Sequence, residues 1–333
     1  MSPLSLSIVV PTYNRERILS RTLPSLLRQN GIGGQYEVIV VVDGSTDGTL
    51  AMLKRPDWGT RLRVISQPNR GLAAARNRGA AAARGDILLF LDDDMVASAD
   101  LVAIHLEEHG TSSQKVVLGA LGLADGVRRS FLKEGVAAWS RDLERRLSQP
   151  GYRLRFDDWS FGHASISRPL FLGLGGFDET FVSYGNEDYD LGLRLTQRGI
   201  EIRFAARALA RQIYDKSLAA WLRDVHCVGR ADVTLAARYP PIAPELRLAC
   251  RAAHPLKRLA RWSGLASFDP LAPAWMALAG TLMVAEMLSL RGSSLSHTQS
   301  LLGERAYWRG VRDARFSALP GEAGALKRPW RAA

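Results

Sequence analysis

Apolar and polar positions form alternating blocks along the first third of the chain. Four short apolar runs, rich in β-branched residues, are separated by segments in which apolar residues recur every three or four positions. Near-continuous apolar runs predict buried strands, and the segments between them predict helices. The predicted strands cover residues 7–11, 36–43, 61–66 and 86–92, and the predicted helices cover residues 15–29, 46–54 and 71–84.

Strands that alternate with helices in this way are typical of an open α/β sheet, mainly parallel and covered by helices on both faces. Ligands of such sheets bind at the carboxyl ends of the strands. The candidate functional residues are therefore those that directly follow the four predicted strands. These segments read PTYNR, DGSTDGT, QPNRG and DDDM.

The pattern changes after residue 115. Residues 115–122 and 201–206 predict two further strands, and residues 127–148 predict a charged helix between them. From about residue 216 the pattern is mostly helical. The last residues, 321–333, show no periodicity, and we expect them to fray.

Composition is that of an ordinary globular protein, with 47% hydrophobic and 23% charged residues in 333. Two cysteines, Cys227 and Cys250, are too few for a disulfide framework. The short apolar run near the N-terminus lacks the basic flank of a signal peptide. These features predict a reducing, cytoplasmic setting.

The net charge of +11 belongs to the C-terminal part, since residues 201–333 hold 20 Lys and Arg against 10 Asp and Glu. Such an excess fits nucleic acid, anionic lipid or a phosphorylated substrate. No recognised nucleic-acid-binding motif and no interleaving of aromatic and basic residues accompanies the charge. We therefore expect no nucleic-acid partner, and a non-catalytic nucleic-acid-binding protein stands only as an alternative.

The loop after the first predicted strand, VPTYNRERI, contains no glycine. A dinucleotide-binding fold places G-x-G-x-x-G there, so the sequence argues against a Rossmann dehydrogenase. A sugar nucleotidyltransferase, which we keep as an alternative enzyme, needs a glycine-rich, lysine-containing loop at the same place. Asp43 ends the second strand, where its carboxylate can accept a hydrogen bond from a nucleobase or cap the next helix.

Three consecutive aspartates, Asp92, Asp93 and Asp94, follow the fourth predicted strand. Adjacent carboxylates repel one another, which raises their pKa values or attracts a cation. Mg²⁺ and Mn²⁺ prefer oxygen ligands and often bridge few protein carboxylates to substrate phosphates. The cluster therefore predicts a metal site, with a turn of solvated acids as the alternative.

Four segments occur in order: SIVVPTYNR, VVDGSTDGT, GLAAARNRGAAAARGDILLFLDDD and GLGGFDETFVSYGNEDYDLGLRL. Together, over residues 5 to about 230, they resemble the family 2 glycosyltransferases, which have the glycosyltransferase-A fold. The resemblance implies a Rossmann-like, mainly parallel sheet flanked by helices. It also implies a catalytic domain over 1–230, with a nucleotide-binding half (1–115) and an acceptor half (116–230), followed by a helical C-terminal extension over 231–333.

The function that the resemblance implies is metal-dependent, inverting transfer of a sugar from a nucleoside-diphosphate sugar, with UDP as the expected nucleotide. The expected acceptor is a saccharide or lipid-linked saccharide of a surface polysaccharide or O-antigen-like glycan. In the D-x-D pair, Asp92 lies near the ribose and metal, and Asp94 binds Mn²⁺ or Mg²⁺. The residues that match nucleotide-binding motifs are Pro11, Tyr13, Arg15, Asp43, Arg76, Asn77, Asp92 and Asp93.

The resemblance also supplies the residues that face the sugars. Gly175 and Gly176 match the turn below the donor sugar. Glu187 and Asp188 match the acidic pair that provides the catalytic base. We take Asp188 as the base, with Glu187 as the second candidate, because neighbours at a helix start point in different directions.

Two positions depart from the family's pattern. Gln212 stands where many relatives have a histidine that completes the metal site, and His226 lies too far along the chain to replace it. The third metal ligand is therefore an open question. His163 stands where relatives often have asparagine in the donor-sugar or acceptor pocket, and it fits either a hydrogen bond to sugar or plain packing.

Residues 271–290 carry one charge, Glu286, and follow the basic, amphipathic segment RAAHPLKRLARW. Three interpretations stand: a membrane-spanning helix, attachment to an anionic membrane surface, or packing within the protein. With a lipid-linked acceptor, the second interpretation predicts a peripheral enzyme on the inner face of the cell membrane.

Overall fold

The structure, a computed structural model, describes residues 5–30, 35–110, 112, 114–127, 129–181, 185–250 and 254–317. The predicted fraying of residues 321–333 lies outside this part. The chain forms two compact units. The first comprises Met1–Val127, Val136–Ser183 and Glu187–Tyr214, and the second comprises Arg128–Gly135, Tyr184–Asn186 and Asp215–Ala333.

The described residues of the first unit form one eight-stranded sheet of order β3-β2-β1-β4-β7-β6-β8-β5. The four strands β3, β2, β1 and β4 are parallel, and β7 pairs antiparallel with both β4 and β6. The strands are Leu6–Thr12 (β1), Tyr36–Asp43 (β2), Leu62–Gln67 (β3), Ile87–Leu91 (β4), Met95–Ala97 (β5), Lys115–Leu123 (β6), His163–Ser167 (β7) and Glu201–Gln212 (β8).

Helices cover both faces of the sheet, which confirms the predicted fold class. The first four strands and the long helix near 131–147 lie where the sequence predicted them. The helices are Glu16–Leu27 (α1), Thr49–Leu53 (α2), Leu72–Ala82 (α3), Leu101–His109 (α4), Phe131–Leu147 (α5), Arg168–Gly173 (α6), Glu187–Gln197 (α7), Leu218–Arg238 (α8), Pro255–Leu265 (α9), Ala272–Met287 (α10) and Ser293–Ser317 (α11).

The period-two pattern of β1 divides the core into two layers. Ile8 and Val10 join the layer that contains buried residues of α1 and α4. Val9, between them, joins the opposite layer with alanines of α3. Because consecutive strand residues face opposite sides, one central strand stabilises both layers, and the polar residues are left for its carboxyl end.

The second unit is built on close packing of α8 against α11. A Cβ on Gly229 of α8 would collide with the backbone carbonyl of Tyr307, and a Cβ on Gly310 of α11 would collide with that of His226. The two glycines thus let the helix backbones approach from both sides. Helix α8 packs in this unit as a whole, and the unit's longest segment begins at Asp215.

No helix in the described ranges is long and apolar enough to cross a membrane. Helix α10 has 16 residues, and at about 1.5 Å per residue it reaches about 24 Å, short of the roughly 30 Å hydrocarbon core. Its one charged residue, Glu286, lies 3.9 Å from Lys133.

Gly310→Ala should destabilise the second unit by about 1–3 kcal/mol, because the added methyl group meets a backbone carbonyl that cannot move aside cheaply. Gly280→Ala on α10 is the matched control, since no described atom lies within 4 Å of its new Cβ. We expect the control to be neutral or stabilising by up to about 1 kcal/mol. Urea unfolding measures both changes, and equal effects would contradict the close-packing argument.

Candidate active site

The loops after β1 and β2 are tied together by Asn14, a residue that the sequence analysis did not single out. Its backbone is left-handed, with φ 54°. Its side-chain oxygen accepts hydrogen bonds from the backbone amides of Thr46 (2.7 Å) and Asp47 (3.3 Å). Its backbone N–H donates to Ser45 Oγ (3.0 Å). Asparagine tolerates positive φ, so its position in a short polar turn was the available signal.

Asp43 is buried at the end of β2 and fixes the start of α3. Oδ1 accepts from Gln67 Nε2 (2.8 Å) and the Arg70 amide (2.9 Å), and Oδ2 accepts from the Gly71 amide (2.9 Å). The carboxylate therefore holds the loop before α3 and does not cap the next helix, α2. Since each carboxylate oxygen accepts about two hydrogen bonds, Oδ2 keeps capacity for a nucleobase N–H.

Asp93, the middle aspartate, is engaged by β1 and α1. Its carboxylate accepts a hydrogen bond from Thr12 Oγ1 (2.7 Å) and lies 3.6 Å from Arg15 Nε. Its backbone carbonyl accepts from Thr22 Oγ1 (2.7 Å). These contacts give Asp93 a structural role, and its assignment as a nucleotide ligand stays a prediction.

Asp92 and Asp94 form the D-x-D pair that the sequence predicts to bind a cation, and their role as metal ligands stays a prediction. In the described part of the chain, buried Asp94 Oδ1 has no hydrogen-bond partner, while Oδ2 accepts from Gln212 Nε2 (3.0 Å). Burial, and then the charges of Asp93 and Asp92, raise the pKa of Asp94 to about 7. An unpartnered buried carboxylate oxygen is costly unless a ligand satisfies it.

The surroundings of Asp92 support the same interpretation. Its side chain is 35% exposed, and a Cβ on Gly162 would come within 2.6 Å of its Oδ2. Among the described residues, no group of three or more His, Cys, Asp or Glu side chains could hold a metal ion. A site with two carboxylates suits Mg²⁺ or Mn²⁺, which complete their coordination with water and phosphate oxygens. Gln212, which stands at the open position of the third metal ligand, donates a hydrogen bond from its side-chain amide to Asp94.

Arg76, on α3, is the centre of the candidate site. It donates to Asp92 Oδ1 (3.1 Å), Asp188 Oδ1 (2.8 Å) and Glu187 Oε1 (3.1 Å), and it lies over the Phe177 ring at 5.2 Å. Burial disfavours its charge, but the carboxylates outweigh burial and raise its pKa. One side chain thus connects the D-x-D segment with the acidic pair about ninety residues away.

The acidic pair begins α7. Asp188 Oδ2 also accepts from the Phe161 amide (2.9 Å), whereas Glu187 Oε2 is buried and has no partner in the described structure. The Asp188 side chain is 19% exposed and that of Glu187 only 6%. Burial raises the pKa of Asp188, opposed by Arg76, and burial with the charge of Asp188 raises that of Glu187 to about 7. The greater exposure of Asp188 favours this residue over Glu187 as the catalytic base, and that role stays a prediction.

Asn77 holds the turn of Gly175 and Gly176. It donates to the Phe177 carbonyl (2.9 Å) and to Glu179 (3.0 Å), and it accepts from the Phe177 amide (2.9 Å). Both glycines have positive φ, and a Cβ on Gly176 would approach Asn77 Oδ1 to 2.6 Å. Asn77 therefore fixes the conformation of this turn, and its assignment to the nucleotide pocket stays a prediction.

The remaining predicted nucleotide residues lie around the first loop. Pro11 is buried within β1, and Tyr13 is about half exposed beyond its end. Arg15 is partly buried, and its guanidinium lies 3.5 Å from Asp94. Arg15 is thus placed where a charged ligand at the aspartates would meet it, and the nucleotide-binding roles of Tyr13 and Pro11 stay predictions.

His163 is buried, and both of its ring nitrogens are engaged, so the structure does not present it to a sugar. Nδ1 meets the Ala120 carbonyl (3.1 Å), which only accepts, so Nε2 must accept from His105 Nε2 (3.1 Å). His105 Nδ1 then accepts from Ser165 Oγ (2.8 Å), and Ser165 accepts from His109 Nε2 (2.9 Å). The Ala120 carbonyl therefore fixes the tautomers of His163, His105 and His109 in this hydrogen-bonded series.

Burial lowers the pKa of the three histidines in this hydrogen-bonded chain, to about 4 for His109 and His163 and well below the ordinary value for His105. Their contribution to stability is therefore complete above the unfolded pKa of about 6.5 and is lost as the pH falls toward 4. We expect the free energy of unfolding to fall by about 1.4 kcal/mol per pH unit for each histidine.

Urea unfolding at pH 7 and pH 5 tests this expectation. His109→Gln should be less stable than the wild type at pH 7, yet it should lose less on acidification, because one titrating ring is gone. A pH slope equal to that of the wild type would contradict the neutral, buried state of His109.

The mixed sheet, the aspartates after β4 and the acidic pair at the start of α7 define the glycosyltransferase-A class of fold. The sequence matches the profile described as glycosyl transferase family 2 over residues 7–168, and that described as N-terminal domain of galactosyltransferase over residues 141–215. The chain belongs to the family 2 glycosyltransferases, which confirms the resemblance in its motifs.

Similar proteins include the uncharacterized glycosyltransferase YfnE of Bacillus subtilis, 33% identical over 243 residues, which are 59% of this chain and 62% of that protein. Validoxylamine A glucosyltransferase of Streptomyces hygroscopicus subsp. limoneus is 34% identical over 219 residues, 59% of this chain and 48% of that protein. The chain thus matches less than two thirds of the length of these relatives.

Solved structures share the fold. A mannosyltransferase from Pyrobaculum calidifontis, in complex with GDP-mannose and Mn²⁺, superposes with a TM-score of 0.56 at 20% identity, covering 91% of this chain and 86% of that one. Residues 1–349 of S. aureus TarS, in complex with UDP, superpose with a TM-score of 0.52 at 18% identity, covering 95% and 93%.

Proposed function

We propose that the protein is a metal-dependent, inverting glycosyltransferase that moves a sugar from a nucleoside-diphosphate sugar, with UDP as the nucleotide, to a saccharide or lipid-linked saccharide. The observation that carries this proposal is the buried Arg76, which contacts both Asp92 and the pair Glu187–Asp188. Carboxylates suited to binding a donor's metal and carboxylates suited to general-base chemistry are therefore parts of one network.

At the donor end, Asp92 and Asp94 would hold Mn²⁺ or Mg²⁺. When bound, the metal would neutralise the negative charge that develops on the departing diphosphate. Asp94 supports this role through its unpartnered buried oxygen among the described residues. Arg15 adds a positive charge 3.5 Å from Asp94, and Asp43 has a lone pair available for the base.

At the acceptor end, Asp188 would take the proton from the acceptor hydroxyl as that oxygen attacks the anomeric carbon. The attack comes from the face opposite the leaving diphosphate, which inverts the configuration. A general base must lie within hydrogen-bond reach of the hydroxyl, and Asp188 is the more exposed acid of the pair. The Phe161 amide and Arg76 hold its carboxylate in one orientation.

The names of relatives support a saccharide acceptor. Besides the glucosyltransferase above, chondroitin synthase of Escherichia coli is 27% identical over 234 residues, 62% of this chain and 34% of that protein. Surface polysaccharide or O-antigen-like glycan is the product class that we propose. The donor sugar and the linkage are left to experiment.

Two substitutions separate donor binding from chemistry. Asp94→Ala should remove Mn²⁺-dependent binding of UDP, measured by calorimetry with and without the metal, because the cation loses a ligand. Asp188→Asn should keep that binding but lower turnover of a UDP-sugar by roughly 10²-fold or more, the scale of general-base catalysis. Mass detection of released UDP across a panel of UDP-sugars gives the turnover.

The paired outcome decides the assignment. Full activity of Asp94→Ala, or of the wild type in excess chelator, would contradict a metal-dependent donor site. If Asp188→Asn lost UDP binding together with turnover, Asp188 would be a donor residue, and Glu187 would be the next base to test.

We propose further that the second unit attaches to an anionic membrane surface. Four exposed apolar residues of α10 share one stripe at helical spacing, and the only charge of residues 271–290, Glu286, is partly buried beside Lys133. Exposed Leu256, Leu259 and Trp262 on α9 accompany Lys257 and Arg258. Apolar and basic residues combined in this way are typical of interfacial helices. The stripe consists of Met276, Met283, Val284 and Met287.

Met276→Glu and Met287→Glu test this surface, since their side chains are 68% and 72% exposed and are not needed for the fold. Each should weaken binding to vesicles with anionic lipid by about tenfold or more, the scale of one buried apolar side chain. Leu172→Glu, 42% exposed in the first unit, is the control. Salt should weaken the wild type only in part, because it screens charges beyond about 8 Å but not apolar burial. Equal binding of all variants to the vesicles would contradict the proposal that the stripe binds the membrane surface.

A further inference from the structure

The chain reaches the acidic pair through a left-handed turn. Gly185 has φ 116° and Asn186 has φ 69°, and the next residues along the chain are Glu187 and Asp188. Non-glycine residues seldom adopt positive φ, and such a conformation persists only where its surroundings hold it in place. Asn186 is buried, with 5% of its surface exposed. The contacts of Asn186 therefore determine how the chain enters α7.

Those contacts come from two helices of the second unit. Asn186 Nδ2 donates to Oδ1 of Asp232 on α8 at 2.6 Å. The hydroxyl of Tyr307, on α11, donates to Oδ2 of the same carboxylate. Both partners are as buried as Asn186, and Arg247 lies over the Tyr307 ring at 4.5 Å. Asp232 thus uses one oxygen for the turn and the other for the tyrosine that orients it.

The turn also sits directly on α8. A Cβ on Gly185 would lie 3.1 Å from the Val228 side chain and 3.4 Å from its Cα. One residue later, the chain leaves the second unit, and α7 begins at Glu187 in the first. Since α7 starts at the residue after Asn186, a shift of the Asn186 backbone moves the start of that helix with it.

We infer that Asp232 and Tyr307 are positioning residues for the pair Glu187–Asp188, which they align by holding the left-handed turn at Asn186. This inference rests on the proposed function, in which Asp188 takes the acceptor's proton. General-base catalysis requires the carboxylate within hydrogen-bond distance of its proton, so small displacements of the helix start reduce turnover. Donor binding uses residues at the ends of β1, β2 and β4 and should change little.

The structure also provides a control for plain stability. His226 Nε2 and Asp313 Oδ2, 2.9 Å apart, join the same two helices at another position. Tyr307→Phe removes one hydroxyl and keeps the ring in the core. Asp313→Asn weakens another side-chain contact between α8 and α11, one that is about one third exposed. A role in stability alone would give the two variants the same phenotype.

The test measures hydrogen exchange of the amides of residues 186–190 in the full chain, together with kcat and KM for a UDP-sugar. Tyr307→Phe and Asp232→Asn should speed exchange of these amides about tenfold or more, as expected for loss of a hydrogen bond worth roughly 1.5 kcal/mol. Both should lower kcat by a similar factor and leave the donor KM within about twofold, since the lost interaction acts in the chemical step. Asp313→Asn should change neither measurement.

Each outcome is decisive. Unchanged exchange and kcat in Tyr307→Phe, or equal changes in Asp313→Asn, would overturn the positioning role. A rise in donor KM without a fall in kcat would overturn it as well. A wild type that neither transfers nor hydrolyses a UDP-sugar would refute the proposed function, and the exchange measurement would still report whether Asp232 and Tyr307 hold the turn.

Discussion

One buried guanidinium determines how the candidate site is built. Arg76 is 2% exposed, and burying its charge without partners would cost several kcal/mol. The carboxylates of Asp92, Glu187 and Asp188 offset that cost by lying within 3.1 Å of the guanidinium. Removing one partner of such a group typically destabilises a protein by about 3–5 kcal/mol. The site and the local fold therefore share the same electrostatic interaction.

The start of β7 supports this network through its backbone. The Phe161 amide donates to Asp188, and the Gly162 carbonyl accepts from the Asp92 amide (3.0 Å). The next residue, His163, anchors the strand through the buried histidine chain. Three consecutive residues thus connect the acidic pair, the D-x-D segment and the core. A neutral histidine chain suits this position because it satisfies buried polar atoms without adding charge beside Arg76.

Much of this arrangement was predictable from the sequence, because the strands are long apolar runs and the acids follow them directly. The four parallel strands, the fold class, and the positions of Asp43, Asp92 and Asp94 at strand ends all follow from that pattern. Strand β7 and helix α4 did not, since the β7 sequence HASIS is not an apolar run and α4 carries no clear periodicity. The roles of Asp93, Asn77 and His163 depend on which distant residue lies opposite, and local patterns do not contain that information.

The C-terminal residues are a second case in which the sequence pattern predicts the elements but not the contacts between them. Their composition predicted a helical, basic and apolar extension, but not that small residues would let α8 and α11 meet backbone to backbone. That close approach brings Tyr307 to Asp232. Asp232 is satisfied by neutral donors, so it can hold the turn at Asn186 without competing for Arg76. In the positioning role inferred above, residues of the C-terminal extension therefore act on the acidic pair through the covalent chain at Asn186.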